Sequence, residues 1–146
     1  PLLRSVLQLL QPRVSRFTAN EVMDLLDVPA IRSRFGFSVE ELPLLRRWIS
    51  EAGIRWGLDE QHRARLALPA FRENSWAAGL ERILLGVALG EEEQLWEAQP
   101  SLPGLTLGQA ELAGRLGEFL HRLQRFEAAL SQPASAEVWQ QRVIAD

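Results

Sequence analysis

The chain has 146 residues, of which 47% are hydrophobic and 24% charged, with a formal net charge of −3, a balance typical of one globular domain. It contains no cysteine, which excludes disulfides and thiolate chemistry. All sixteen basic residues are arginines, which excludes a phosphate-binding loop ending in Gly-Lys and a Schiff-base lysine. No apolar run reaches the roughly 18 residues of a membrane span. Because the chain begins with Pro1 and Met23 is its only methionine, we expect a piece of a longer protein.

Capping residues indicate where the first helices begin and end. Residues 2–10 predict a short apolar helix, and Thr18-Ala19-Asn20-Glu21 is a capping box that predicts the start of the next one. That helix must end near Val28, because Pro29 disfavours helical geometry in the residue before it. Pro29 itself suits the first position of a further short helix, which we expect to end at Gly36.

A second capping box, Ser38-Val39-Glu40-Glu41, predicts another helix start. This helix should end at Gly53, which is expected to adopt the left-handed conformation that terminates helices. Pro43 lacks an amide donor and should bend or loosen the first turn. Asp59 then predicts the cap of a short helix that runs to about Leu66.

The next helix is predicted to be capped by Asn74 or Ser75. Its apolar stripe consists of Trp76, Leu80, Ile83, Leu84 and Val87. Gly79 and Gly86 lie on nearly one face of it, and each costs about 1 kcal/mol of helix propensity relative to alanine. We therefore expect another helix to approach closely at these glycines.

A third capping box at residues 106–109 predicts the longest helix, and Ser135 predicts the cap of a last one. The longest helix should face the core with Leu112, Leu116, Phe119, Leu120, Leu123, Phe126 and Leu130. No stretch alternates polar and apolar residues in the manner of a strand. The sequence therefore predicts one compact all-α domain over residues 1–146, with about six to eight helices.

Residues suited to catalysis or metal binding are sparse. His62 and His121 each lack a nearby cysteine or a second histidine at helical spacing, so we expect polar helix residues rather than metal ligands. Asp24 and Asp27 are interpreted as solvated carboxylates on a helix surface. No nucleophile motif occurs. The sequence predicts no catalytic residue, no metal site and no small-molecule substrate, and hence no enzymatic activity within this segment.

The charges are polarised along the chain. Residues 28–72 hold eight arginines against five acidic residues, whereas residues 73–146 hold five arginines against eleven acidic residues. Such a distribution can orient a domain between an anionic surface and a cationic partner, or it can be ordinary surface scatter. A free-standing DNA-binding protein would normally be more basic.

The segment EAGIRWGLDEQHR, residues 51–63, allows two interpretations. In the structural one, Gly53 ends a helix, Ile54 packs back on it, and Trp56 fills the wedge before the next helix. In the functional one, Trp56 offers a face for base stacking, and phosphates contact Arg46, Arg47, Arg55 and Arg63. A competing hypothesis is a pure scaffold that touches no nucleic acid and docks a partner subunit or another part of the same longer protein, through Glu91, Glu92, Glu93 and Glu97.

Three consecutive segments resemble a known family. "SRFTANEVMDLLDVPAIRSRFGF", "LRRWISEAGIRWGLD" and "LALPAFRENSWAAGLERILLGVALG" closely resemble the RecC family, the gamma subunits of exodeoxyribonuclease V, over about residues 14–90. Residues 91–146 carry no motif that matches beyond their helical character. Ala77 and Ala78 replace a basic and an aromatic residue that the family tends to have, which puts a contact role for that turn in doubt.

The resemblance implies a role in a bacterial, cytoplasmic helicase–nuclease. RecC joins RecB and RecD in the RecBCD complex, which processes double-strand breaks for recombination. The subunit looks like a superfamily-one helicase without working ATP motifs; it splits the duplex, guides the strands and helps to read the Chi sequence. ATP and Mg²⁺ would be used by the partner subunits, with no cofactor in this segment. The segment itself is similar to the helical 2B subdomain of active relatives.

Overall fold

The computed structural model describes residues 16–89, 95–96, 99–100 and 107–130. This part of the chain is helical, which confirms the all-α prediction, and its six α-helices are α1 (Ala19–Leu26), α2 (Pro29–Phe35), α3 (Leu42–Glu51), α4 (Glu60–Arg65), α5 (Trp76–Leu89) and α6 (Ala110–Leu130). Two 3-10 turns, Val39–Glu41 and Leu107–Gln109, precede α3 and α6. The predicted helices at residues 2–10 and after Ser135 lie outside the described residues, as does Thr106.

A short antiparallel ladder interrupts the helical pattern after α5. It pairs β1 (Leu95–Trp96) with β2 (Gln99–Pro100), two residues on each side. The sequence does not predict this ladder, because two residues are too few to show an alternating pattern.

Side-chain caps begin the helices where the sequence predicts them. At α1 the Glu21 amide donates to Thr18 Oγ1 (3.2 Å), while the Thr18 amide donates to Glu21 Oε2 (2.7 Å). The second capping box is also present at Ser38, but it opens a 3-10 turn rather than α3 itself. Pro43 then occupies the second position of α3, where no intrahelical donor is required, so the helix is not loosened.

Two glycines close helices in the predicted way. Gly36 after α2 and Gly53 after α3 both have φ of +72°, in the left-handed region. The amide that follows each glycine reaches back five residues, from Phe37 to the Arg32 carbonyl (3.0 Å) and from Ile54 to the Ile49 carbonyl (3.1 Å). The side chains of Phe37 and Ile54 are buried, so each chain reversal returns an apolar residue to the core.

The core lies between α5, α6 and the four shorter helices. On α6 the predicted stripe is buried at Leu112, Leu116, Phe119, Leu120 and Leu123. Phe126 is half-buried, and the Leu130 side chain lies outside the described residues. Phe119 meets Phe35 and Phe37 edge to face, with ring centroids 5.0 and 6.3 Å apart.

Two predictions about α5, one for Leu84 and one for Gly79, are wrong. Leu84 does not face the core but is 43% exposed. At 100° per residue it stands about 80° from Trp76, at the edge of the stripe formed with Ile83 and Val87. The close approach at Gly79 comes not from another helix but from the turn after α3, since a Cβ at Gly79 would overlap the side chain of Ile54.

No helix in the described ranges is long and apolar enough to cross a membrane.

Candidate nucleic-acid interface

Three chain segments meet at the turn that carries Arg55 and Trp56. The Gly57 amide donates to the Arg16 carbonyl (2.8 Å), and the Ala19 amide donates to the Arg55 carbonyl (2.9 Å). On the other side, the Arg55 amide donates to the Asn74 carbonyl (2.9 Å). These hydrogen bonds hold residues 16–19, 54–58 and 74–77 in one junction, which we call the three-segment junction.

The start of α5 completes this junction. The amides of Trp76 and Ala77 donate to the carbonyls of Gly57 and Leu58, both at 2.9 Å. The buried Trp76 indole donates from Nε1 to the Phe17 carbonyl (2.8 Å). The Arg55–Trp56 turn is therefore fixed from both sides, and its side chains stand on rigid backbone.

Trp56 rests on a buried guanidinium. The Arg63 Cζ lies 4.1 Å from the centroid of the Trp56 ring, and its Nη2 donates to the Trp56 carbonyl (2.8 Å). The other terminal nitrogen of Arg63 donates to the Phe71 carbonyl. Gly57 makes room for this arrangement, because a Cβ there would lie 2.7 Å from Arg63 Nε and its φ is +81°.

Arg63 is therefore not a surface cation, which corrects its assignment as a phosphate contact. Its side chain is 3% exposed, and burial lowers its pKa. Both terminal nitrogens are used on backbone carbonyls inside the domain. The sequence predicts that α4 is short, but it does not show that Arg63 points into the domain.

The other predicted arginines are exposed but do not form one cluster. Arg46 pairs with Asp27 (3.0 Å), at the C-terminal end of α1, and Arg47 pairs with Glu51 (2.8 Å) on α3. Arg55 lies at the N-terminal end of α1, because its carbonyl binds the Ala19 amide. The eight residues of α1 separate the two ends by about 12 Å.

Arg55 differs from the two arginines on α3 in its surroundings. Its side chain is exposed, and no carboxylate of the described residues lies within ion-pair distance of it. A phosphate contacting Arg46 or Arg47 would compete with Asp27 or Glu51 for the guanidinium. Arg55 would meet no such competition within the described part.

The structure adds Arg16 and Phe71 to this region, which sequence reasoning missed. Arg16 is exposed, and its Cζ lies 6.0 Å from the centroid of the Trp56 ring. Phe71 is 67% exposed, and its carbonyl is bound by Arg63. Phe71 does not belong to the apolar stripe of either neighbouring helix. This absence is the sequence signal from which its exposure could have been predicted.

Two further arginines tie α6 to the rest of the domain. Arg115 forms two hydrogen bonds with Glu41 (2.9 and 3.0 Å), which raise the pKa of Arg115 and lower that of the carboxyl. Arg65 binds Glu127, whose side chain is buried, and this pairing raises the pKa of Arg65. Beside Arg115 lies an open cavity of about 280 Å³, lined also by Arg34, Phe35, Glu118 and Arg122.

The histidines and acidic residues occupy different environments. His62 lies near the start of α4, as predicted, and is fully buried there: its Nδ1 accepts from the Leu58 amide (3.3 Å), and its ring meets Phe17 edge to face. His121 is exposed on α6, and Asp24 and Asp27 are exposed, as predicted.

Within the described ranges, no three His, Cys, Asp or Glu side chains are grouped to hold a metal ion. Glu91, Glu92, Glu93 and Glu97 lie outside those ranges.

Comparison with known proteins identifies the family. The family model for the RecBCD enzyme subunit RecC fourth domain matches residues 1–145. The chain belongs to the RecC family. It is 40% identical to the RecBCD enzyme subunit RecC of Haemophilus influenzae over 144 residues, which is 99% of this chain. The RecC subunits of Escherichia coli and Mycobacterium tuberculosis are each 37% identical over 95% of it.

The match extends the resemblance seen in the sequence. Three motif segments covered about residues 14–90, whereas the RecC fourth-domain model also includes the segment that follows α5. The chain spans only 12% of the H. influenzae and E. coli proteins and 13% of the M. tuberculosis protein. This RecC-family chain thus corresponds to a small part of its relatives.

Proposed function

We propose that this RecC-family domain is a non-catalytic, DNA-contacting part of a RecBCD complex in bacterial DNA repair. In this role it assembles with RecB and RecD in the cytoplasm. It supports unwinding of double-strand ends, guidance of the separated strands and Chi-regulated degradation. ATP and Mg²⁺ serve the partner subunits. Its helical architecture and family membership also support the proposed likeness to a 2B-type helicase subdomain.

The observation that carries the proposal is the exposed Arg55 beside the half-buried Trp56 on the three-segment junction. A rigid backbone carries a cation and an aromatic residue next to each other, a combination that proteins use to bind the phosphates and bases of nucleic acids. The exposed arginines of α3 lie toward the opposite end of α1, where a phosphate would have to displace the carboxylate that pairs with each of them. Arg63 supports the Trp56 ring from inside and has no proposed DNA contact.

The test replaces Arg46, Arg47 and Arg55 by alanine in a complete RecC-family subunit assembled with RecB and RecD. Binding to blunt duplex ends should weaken, and its salt dependence should flatten by about 0.9 for each phosphate that is no longer neutralised. Arg55→Ala alone should account for the largest share of this change, because Arg55 has no carboxylate partner in the described part.

Arg125→Ala provides the matched control. Arg125 is exposed on α6, and within the described residues it too pairs with no carboxylate. Its substitution should leave end binding and the salt slope as they are. Unchanged binding in the triple variant at low salt would refute the DNA-contact proposal, and an equal effect of Arg125→Ala would show a nonspecific loss of charge.

A second candidate function is docking of a partner subunit without DNA contact. It is favoured by the exposed Leu84 on α5, because this helix directly precedes the acidic residues 91–97 in the sequence. Under this proposal, charge reversal of Glu91, Glu92, Glu93 and Glu97 should impair assembly of the complex. Normal assembly of that variant, measured by size-exclusion chromatography, would count against docking.

A further inference from the structure

Phe71 is the most exposed large hydrophobic side chain in the described ranges. It is 67% exposed, compared with 58% for Val39 and 43% for Leu84. Single exposed hydrophobic residues are common on proteins and carry no functional meaning alone. The inference therefore depends on how the backbone of Phe71 is held and on what lies next to it.

The loop that carries Phe71 is fixed to two helices. The buried Arg63 of α4 binds the Phe71 carbonyl. The next residue, Arg72, pairs with Glu81 on α5 (2.6 Å) and approaches Glu60 on α4 (3.8 Å). A ring presented on backbone fixed in this way loses little further freedom when a ligand covers it, which favours binding.

The guanidinium of Arg63 also joins the backbones of Trp56 and Phe71. The two terminal nitrogens of Arg63 lie in one planar fork, and one donates to the Trp56 carbonyl while the other donates to the Phe71 carbonyl. The backbones of these two aromatic residues are therefore close neighbours, although they are distant in sequence. Trp56 is half-buried, so the more accessible ring is that of Phe71.

The residues next to Trp56 include two cations without a carboxylate partner in the described part. Arg16 and Arg55 are exposed, and neither has a carboxylate within ion-pair distance among the residues that the structure describes. Of the nearby acidic residues, Glu60 and Glu81 face Arg72. Glu73 is exposed next to that arginine and is the acidic group that opposes an anionic ligand there. An anion at Trp56 would therefore meet two exposed cations, Arg16 beside the ring and Arg55 next to it in the chain.

We infer that Arg16, Arg55, Trp56 and Phe71, which we call the Phe71 surface, bind single-stranded DNA, with an unpaired base stacked on Phe71 and phosphates beside the two arginines. This inference rests on the proposed function and specifies its ligand. A base inside a duplex is stacked on both sides, whereas an unpaired base offers a free face to an aromatic side chain. The Phe71 surface should therefore distinguish a separated strand from a duplex.

Photocrosslinking in the assembled complex tests the position of the strand. A duplex end with unpaired tails carries 5-iododeoxyuridine either in a tail or in the paired region, and crosslinked peptides are identified by mass spectrometry. The tail probe should crosslink to the peptide containing Phe71 or to that containing Trp56, and the paired probe should not. Absence of these peptides among the products of the tail probe would overturn the inference.

Substitutions of Phe71 test whether the contact is stacking. The measured quantity is the affinity for tailed ends relative to blunt ends. Phe71→Ala and Phe71→Leu should both reduce this ratio, by about tenfold for one stacked base, whereas Phe71→Tyr should retain it. Val39→Ala removes another exposed hydrophobic side chain and should change nothing.

The remaining outcomes separate this inference from its alternatives. If Phe71→Leu behaves as the unaltered protein does, or if Phe71→Ala impairs subunit assembly, the ring fills an apolar protein pocket and the inference is wrong. If the triple arginine variant loses blunt-end binding while Phe71 variants bind tailed ends normally, only the inference about single strands fails. If neither set changes DNA binding, the proposed function fails with it.

Discussion

Replacing Gly79 by alanine tests the packing of α5 against the turn after α3. The added Cβ would overlap Cγ1 and Cδ1 of Ile54, and it would come to 3.5 Å from Ile54 Cβ. Ile54 is 5% exposed and β-branched, so its side chain has little room to move. Overpacking of this kind costs about 1–3 kcal/mol, and the helix propensity of alanine returns about 1 kcal/mol. Because the new Cβ would overlap two carbons of Ile54, the cost should lie in the upper part of that range, and we expect Gly79→Ala to lower the free energy of unfolding by about 1–2 kcal/mol.

Urea unfolding of the 146-residue chain, followed by tryptophan fluorescence, measures this change. The control is Gly114→Ala on α6, where a Cβ would meet no atom of the described structure within 4 Å. Because only helix propensity changes there, this variant should be stabilised by up to about 1 kcal/mol.

A double-mutant cycle identifies the contact responsible. Ile54→Ala removes both atoms that the new Cβ would overlap, so the cost of Gly79→Ala should largely disappear in that background. A stabilising effect of Gly79→Ala in the unaltered chain would refute the reasoning. So would an equal cost in both backgrounds.

Two further predictions concern arginines inside the fold. Arg63→Met should lower the free energy of unfolding by about 2–4 kcal/mol, because it leaves two backbone carbonyls without their donors; the exposed Arg125→Met should change it by less than about 0.5 kcal/mol in the same urea assay. Because Arg115 lowers the pKa of Glu41 below 4.5 in the folded state, this pair stabilises the fold above that pH, and the contribution is lost as the pH falls through the folded pKa. In the Arg115→Gln variant, the free energy of unfolding should therefore fall less steeply as the pH drops below about 4.5. An unchanged pH dependence in this range would contradict the prediction.

Local signals in the sequence predicted the helix boundaries well. The caps at Thr18 and Asp59 and the terminators Gly36 and Gly53 depend on residues three to five positions away. Such signals act before any tertiary contact forms, and the sequence alone therefore contains them. The start of α3 differs by one turn because Pro43 is better accommodated after a 3-10 turn.

The candidate site was harder to predict because it depends on contacts between distant segments. Arg63 and Arg55 look alike in the sequence, but the structure buries the first under the Trp56 ring and leaves the second exposed. The exposure of Phe71 and the burial of His62 follow from how α4 and the loop after it pack. No spacing rule within one helix provides that information.

The three-segment junction has a consequence for the dynamics of the surface built on it. The amides of Ala19 and Trp76 donate to carbonyls of residues 54–58, and the Gly57 amide of that segment donates to the Arg16 carbonyl. Detaching any one segment breaks bonds of the others and uncovers the Trp76 indole, so local opening is costly. These amides should exchange with solvent only when the whole junction opens at once. The backbone beneath the rings of Trp56 and Phe71 should therefore open locally only at a high cost in free energy.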